Sequence, residues 1–309
     1  MPAAVPVHPR RLVYLGSPAA AVPPLEALHA AGHDIALVVS QPDRRRGRGG
    51  ATSPSPVKAA AVALGLPVTD RVDDVLDVGA DLGVVVAFGR LLKAHVLDAV
   101  PIVNLHFSLL PRWRGAAPVE RAILAGDEQT GVAVMGVDET LDTGVIYAEA
   151  VLPIGPDETA DELRARLVAV GTDLLVATLA AGLTDPRPQE GESTYADKLG
   201  PDDLRLDWDR PAVELHRVVR VGGAWTTFRG RRLKVWRTRL ADDAGDGRGD
   251  DGGASLAPGA IDGVRVGTGD GALELVEVQP EGKGRQDAVA WRNGARPEPG
   301  ERLGDQDSA

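Results

Sequence analysis

An amide and an imidazole two residues apart, Asn104 and His106, mark where chemistry concentrates in this 309-residue chain. An amide offers N–H groups to an oxygen on which negative charge develops, and an imidazole exchanges a proton near neutral pH. Both sit at the end of a short apolar run, Pro101 to Leu105, the length of a buried strand. Residues two apart on a strand point to one face, so the two side chains are aimed together. The chain then leaves regular structure along Ser108 to Pro118, punctuated by Pro111, Gly115 and Pro118. The pair therefore lies near a strand's carboxyl end, where open α/β sheets bind ligands. A second loop, Asp138 to Gly144, holds three acids and ends in Asp142-Thr143-Gly144. Taken singly, Asn104 also suits a turn cap, His106 a packed core position and Asp142 an Asx-turn. No further His or Cys offers metal-ligand spacing, so a metal centre is not expected.

Alternating strands and helices must carry that loop. Arg11 to Leu15 reads as a first strand running into Gly16-Ser17-Pro18. A helix over Ala19 to Ala31 follows, its first turns distorted by Pro23-Pro24, and then a strand from Ile35 to Ser40. Val57 to Leu64 reads as a helix and Leu66 to Thr69 as a short strand. Gly83 to Phe88 has the unbroken apolar content of a central parallel strand. Gly89-Arg90-Leu91-Leu92 at its carboxyl end suits either backbone contact with a flat heterocycle or a plain turn. After the Asn104 strand come a helix (Val119 to Ala125), a late strand pair (Gly131 to Val137, Val145 to Val151) and a long helix from Thr159 to Ala181. The expected architecture is α/β: a Rossmann-like domain over 1–187, a linker over 188–206, and a small β-rich domain over 207–309, read as a barrel.

Cysteine is absent, which removes disulfides, thiol nucleophiles and thiolate zinc sites together. No apolar run approaches the ~20 residues of a membrane span, and the N-terminal residues have no signal-like apolar stretch. A soluble, cytoplasmic protein is expected. A net charge of −11 argues against a general nucleic-acid coater but leaves room for a local basic face. Two segments offer one. The long connection Gln41 to Pro56 carries Arg44, Arg45, Arg46 and Arg48, which suits a solvated charge run and a phosphate-gripping arm equally. Arg217 to Arg239 holds Arg217, Arg220, Arg229, Arg231, Arg232, Lys234, Arg237 and Arg239 with no acid. Read as a β surface with interleaved aromatics, it suits RNA contact or a charge-protected edge. Asp242 to Gly253 reads as an acidic, Gly-rich disordered loop.

The run Asn104-x-His106-x-Ser108-Leu-Leu-Pro-Arg-Trp-Arg-Gly-Ala-Ala-Pro118, with Leu141-Asp142-Thr143-Gly144, resembles the folate-dependent formyltransferases. The likeness extends to Gly16-Ser17-Pro18, Ser55-Pro56-Val57-Lys58, Val84 to Gly89, Thr194 to Leu199 and Leu233 to Trp236. It implies 10-formyltetrahydrofolate as the donor co-substrate, with no metal in the site. By the same likeness, Asn104 holds the oxyanion, His106 donates to that oxygen or relays protons, and Asp142 orients the imidazole and accepts a proton. Phe88, Gly89, Arg90, Leu91, Ser108, Leu109, Leu110 and Pro111 would border the folate. The arginine-rich loop and the second domain, here expected to resemble an OB-fold, point to members that formylate initiator methionyl-tRNA. Arg44, Arg45, Arg46 and Arg48 would then reach the acceptor end, while Arg217, Arg229, Arg231, Arg232 and Lys234 hold the helical body. A monomer is expected. Ala19-Ala20 stand where the family carries an Asp-Phe pair, Phe88 stands where Tyr is common, and the 242–253 insert has no counterpart. Formyl transfer to a small amine, formylfolate hydrolysis and a catalytically silent RNA- or folate-binding module are the alternatives.

Overall fold

The computed structural model describes residues 3–45, 52–241 and 256–305. Arg46, Arg48 and the insert at 242–253 lie outside the described residues. The chain divides into two compact units, one holding residues up to 119, 128–154 and 162–197, the other 120–127, 155–161 and 198 onward.

The elements follow in chain order. They begin with β1 (Arg11–Gly16), α1 (Val22–Ala30), β2 (Asp34–Val39), β3 (Arg44–Arg45), β4 (Thr52–Ser53), α2 (Pro56–Ala63) and β5 (Val68–Thr69). Next come β6 (Leu82–Val86), α3 (Ala94–Ala99), β7 (Ile102–His106), β8 (Arg114–Gly115), α4 (Pro118–Ala125), β9 (Gln129–Gly136), β10 (Ile146–Pro153), α5 (Ala160–Ala181) and β11 (Tyr195–Ala196). The prolines expected to distort the first helix lie in the opening turn of α1, after a single tight turn at Ala19–Ala21. A proline costs nothing there, because first-turn N–H groups have no partner inside the helix. Ser55 starts α2 by accepting the Lys58 N–H at 3.0 Å, with Pro56 as its first residue.

The first unit is built on a seven-stranded sheet in the order β10-β9-β7-β6-β1-β2-β5. β5, β2, β1, β6 and β7 are parallel, and β9 runs antiparallel to β7. Leu12, Val13, Tyr14 and Leu15 of β1 are fully buried, as a strand covered on both faces requires. Each apolar side chain so buried contributes about 1.5–3 kcal/mol before conformational entropy is counted. The strand order reverses between β1 and β6, so the switch point at which open α/β sheets bind ligands falls at their carboxyl ends, beside β7. On β7, Leu105 faces α5, where Gly171 leaves room for its methyl groups. Asn104 and His106 face the other way.

The second unit adds α6 (Ala212–Val221), β12 (Trp225–Phe228), β13 (Arg231–Leu240), β14 (Ile261–Asp262), β15 (Arg265–Gly267), β16 (Ala272–Pro280), β17 (Gln286–Asp287) and α7 (Ala288–Ala295). Its antiparallel sheet runs β12-β13-β16-β15-β14, with β17 pairing β16. Leu233 and Val235 of β13 and Leu273, Leu275 and Val278 of β16 pack on Leu215, Val218 and Val219 of α6 and Trp291 of α7. The reading of the whole basic segment as β surface is corrected here: Arg217 and Arg220 lie on α6. Ala212, Leu215, His216, Val218 and Val219 are buried at helical spacing, and this 3.6-residue period overrides the β-branched content.

His216 sits inside this unit, its Nε2–H donated to Asp157 at 3.0 Å and its Nδ1 accepting from the Thr238 hydroxyl at 2.9 Å. Burial pushes its pKa below the ordinary 6.5, and the Asp157 hydrogen bond offsets part of that. The unfolded chain takes up this proton at the higher pH, so the stabilisation is complete above 6.5 and is lost as pH falls through the depressed folded value. Melting temperature should therefore decline as pH falls below 6.5. The decline should flatten in His216→Gln, which separates it from the similarly lowered His33 of the first unit. An unchanged slope in that variant would remove His216 from the account.

Candidate active site

His106 is 5% exposed, and its ring is fixed from one side. Its Nε2 lies 3.0 Å from the Trp113 carbonyl oxygen, which can only accept, so Nε2 carries the hydrogen. Trp113 adopts a left-handed backbone conformation at φ 62°. For a bulky residue that costs about 1–3 kcal/mol, a strain that clusters at functional sites. Ser108, fully buried, donates its hydroxyl to the Arg112 carbonyl at 2.7 Å and braces the same turn.

Asp142 comes from the loop joining β9 to β10 and is itself left-handed at φ 51°, which a short polar side chain tolerates. Its Oδ2 accepts the Gly115 N–H at 2.8 Å and stands 3.9 Å from His106 Nδ1. That spacing is an ion-pair distance, not a hydrogen bond. Asp142 and His106 are thus brought together, but the hydrogen bond that orients the imidazole comes from the Trp113 carbonyl, not from Asp142. Asn104 sits beside them on β7, half-buried, its backbone in register with Val85 of β6 and Met135 of β9.

Of the residues expected to border the folate, Phe88 is 3% exposed and packs among Val13, Val96 and Ile102. Its side chain is core. Ala87 and Gly89 are both left-handed, which turns the backbone sharply after β6 and leaves the Leu91 side chain 79% exposed. Arg90 donates to the Asp70 carbonyl at 3.1 Å. Leu110 packs on Ala133, Met135 and Ile146, and Leu109 lies against Gly131. With Pro111 and Ser108 also buried, the 108–111 segment has chiefly backbone to offer a ligand.

The described cations expected to contact tRNA differ in their local settings. Arg44 and Arg45 form β3, paired antiparallel with Thr52–Ser53. Arg217 lays its guanidinium against the backbone of Gly126, where an added Cβ would displace it. Arg229 is held by a two-pronged bond to Glu301 at 2.6 and 2.7 Å, which lowers the Glu301 pKa to about 2. Arg231 stands 3.9 Å from Glu281. Arg232 stacks over Trp225 at 4.3 Å, and Lys234 and Arg285 flank Trp236 at 5.6 and 3.4 Å. Arg205 and Arg285 were not anticipated; one stacks on Trp225, the other on Trp236. Among the described residues there is no group of three or more His, Cys, Asp or Glu able to hold a metal ion, and no helix long and apolar enough to cross a membrane.

Three residues beyond the Asn/His/Asp set shape the site: Trp113, Gly115 and Gln189. The first two stand inside the quoted motif but declare themselves only through backbone atoms. Gln189 lies in the expected linker and gives no periodic or motif signal.

Residues 10–179 match the formyl transferase family, and residues 198–296 match the formyl transferase C-terminal domain. The chain belongs to the formyl transferase family. It is 43% identical to a methionyl-tRNA formyltransferase of Solibacter usitatus, over 96% of this chain and 99% of that one. A methionyl-tRNA formyltransferase of Heliobacterium modesticaldum is 44% identical over 95% of this chain and all of its own length. In fold it is similar to an N-formyltransferase of Helicobacter canadensis, solved with folinic acid and dTDP-3-aminofucose. The TM-score is 0.65 at 15% identity, covering 88% of this chain and 99% of that one.

Proposed function

We propose that the chain transfers the formyl group of 10-formyltetrahydrofolate to the α-amino group of methionyl-initiator-tRNA, the step that prepares this tRNA for the initiation of translation. The observation that carries the reading is near end-to-end similarity, through both domains, to methionyl-tRNA formyltransferases. The donor supplies an activated formyl carbon. One N–C bond forms to the amine, one breaks to the folate nitrogen, and one proton passes from the first nitrogen to the second.

The residues suit that balance. The Asn104 amide faces the oxygen on which charge develops, a role whose loss typically costs about 10²–10³ in rate. With Nε2–H committed to the Trp113 carbonyl, His106 exchanges its proton at Nδ1, the atom facing Asp142. Asp142, oriented by Gly115, takes the proton shed by the amine, directly or through water. The left-handed turn at Ala87–Gly89 and the backbone of 108–111 would hold the folate, with Leu91 covering a flat heterocycle. The protein acts as a cytoplasmic monomer. The loop bearing Arg44 reaches the acceptor end of the tRNA, and Arg231, Arg232 and Lys234 hold its helical body.

Labelled formyl transfer offered side by side to initiator methionyl-tRNA, elongator methionyl-tRNA, free amines and water tests this. Initiator methionyl-tRNA should be the preferred acceptor, and equal transfer to water or a free amine would overturn the reading. Replacing Arg231, Arg232 and Lys234 should weaken both tRNAs alike and lower the salt slope by about 1 per lost phosphate contact. Arg44→Ala should instead lower initiator formylation far more than tRNA affinity, because an acceptor end that lacks a firm terminal pair is cheap to open. A matching loss of affinity for both tRNAs would reduce the loop to a phosphate clamp.

A further inference from the structure

Between the two family-matched regions lies a strand-like segment, residues 187–196, that crosses both loops of the candidate site. Arg187 exchanges backbone hydrogen bonds with Ile146 at 2.8 and 2.9 Å, next to the Asp142 loop. Thr194 accepts the Trp113 N–H on its hydroxyl at 2.9 Å and the Arg114 N–H on its carbonyl at 2.9 Å. Tyr195 and Ala196 pair with Arg114 and Gly115 as β11 and β8. The segment therefore holds the turn whose Trp113 carbonyl orients His106.

Gln189 joins this segment to the other loop. Its side-chain Nε2 donates to two carbonyls of the Asp142 loop, Asp142 O at 2.9 Å and Gly144 O at 2.8 Å. Its Oε1 accepts from Arg114 Nε at 3.1 Å and Nη2 at 2.6 Å. All the hydrogen-bonding capacity of that NH2 group goes into one loop, and its oxygen ties that loop to the residue between Trp113 and Gly115. Trp113 fixes the imidazole and Gly115 fixes the carboxylate. One amide thus bridges the two supports that set the His106–Asp142 spacing.

We propose that Gln189 is a positioning residue for formyl transfer, holding the Asp142 loop in register with the His106 turn. The proposal rests on the catalytic reading of Asp142 and His106 above. Gln189→Glu is the discriminating variant. It keeps one oxygen for Arg114 but replaces the NH2 group with a second oxygen that cannot donate to the two carbonyls, so only the Asp142-loop side of the bridge is lost.

Expected is a fall in kcat of about 10–100-fold, the scale of an ångström-sized misplacement, with KM for tRNA and folate within about twofold and melting temperature near that of the parent. Gln189→Met, which lacks both kinds of partner, should lose kcat likewise and serves if the Glu variant does not fold. Asp142→Ala is measured alongside, and combining it with Gln189→Glu should add little further loss. Parental kcat in a folded Gln189→Glu or Gln189→Met chain, with Asp142→Ala impaired, would overturn the positioning role alone. Parental kcat in Asp142→Ala itself would overturn the catalytic reading and this proposal with it.

Discussion

Asn104→Ala, His106→Ala and Asp142→Ala should each lower formyl transfer to methionyl-tRNA by about 10²-fold or more at saturating substrates, with the fold retained. The three act on one event. In the proposed mechanism the amide meets the developing charge, while the imidazole and the carboxylate, 3.9 Å apart at His106 Nδ1, move the proton that event releases. Losses from residues acting as a unit do not multiply, so the triple variant should fall well short of the product of the single effects. Single-turnover rates with both substrates bound isolate this step from product release. Near-parental turnover in His106→Ala would sink the mechanism.

Gly144→Ala should be nearly as damaging, although the added methyl touches no substrate. A Cβ at Gly144 would overlap the backbone carbonyl of Gly136, and backbone cannot rotate aside as a flexible side chain can. The β9–β10 connection closes at this point, where Gly136 N–H donates to the Val145 carbonyl at 2.8 Å. The strands must therefore part or the loop must move, carrying Asp142 two residues away. The overpacking costs about 1–3 kcal/mol of stability. The displacement costs about 10²-fold in rate, and Gln189 loses its bond to the Gly144 carbonyl as well. Melting and turnover measured together check this: a variant that keeps both at parental levels would mean that the loop flexes freely and that Asp142 needs no fixed support.

The alternating elements of the first unit are legible because each carries its own signal. β1 and β6 are unbroken apolar runs, α2 announces itself by Ser55-Pro56, and the two-residue strand period aims Asn104 and His106 together before any tertiary contact is known. The helix α6 is harder to read, since valine and arginine mask a helical period that only the burial of Leu215, Val218 and Val219 brings out. Phe88 is readable as apolar, but whether its ring enters a pocket or the core depends on the left-handed turns on either side of it. The role of Trp113 belongs to its carbonyl, which every residue type possesses, so composition cannot single it out. Gln189 acts across 47 and 75 residues of chain, and neither a period nor a short motif spans that distance.

The segment at 187–196 also gives the site an order of birth. A ribosome makes this chain from its amino end, so all seven strands of the first sheet, the last ending at Pro153, are synthesised before Gln189 and Thr194 emerge. The sheet, Asn104, His106 and Asp142 can all be in place while the segment that registers the two loops is still inside the exit tunnel. Binding surfaces made of backbone alone would mature early, and the spacing of the reacting groups last. For anyone dividing the chain, the same fact moves the cut. A fragment stopped at residue 179, where the first family match ends, would keep the sheet yet lose the clasp, whereas one carried through Asp197 would keep both.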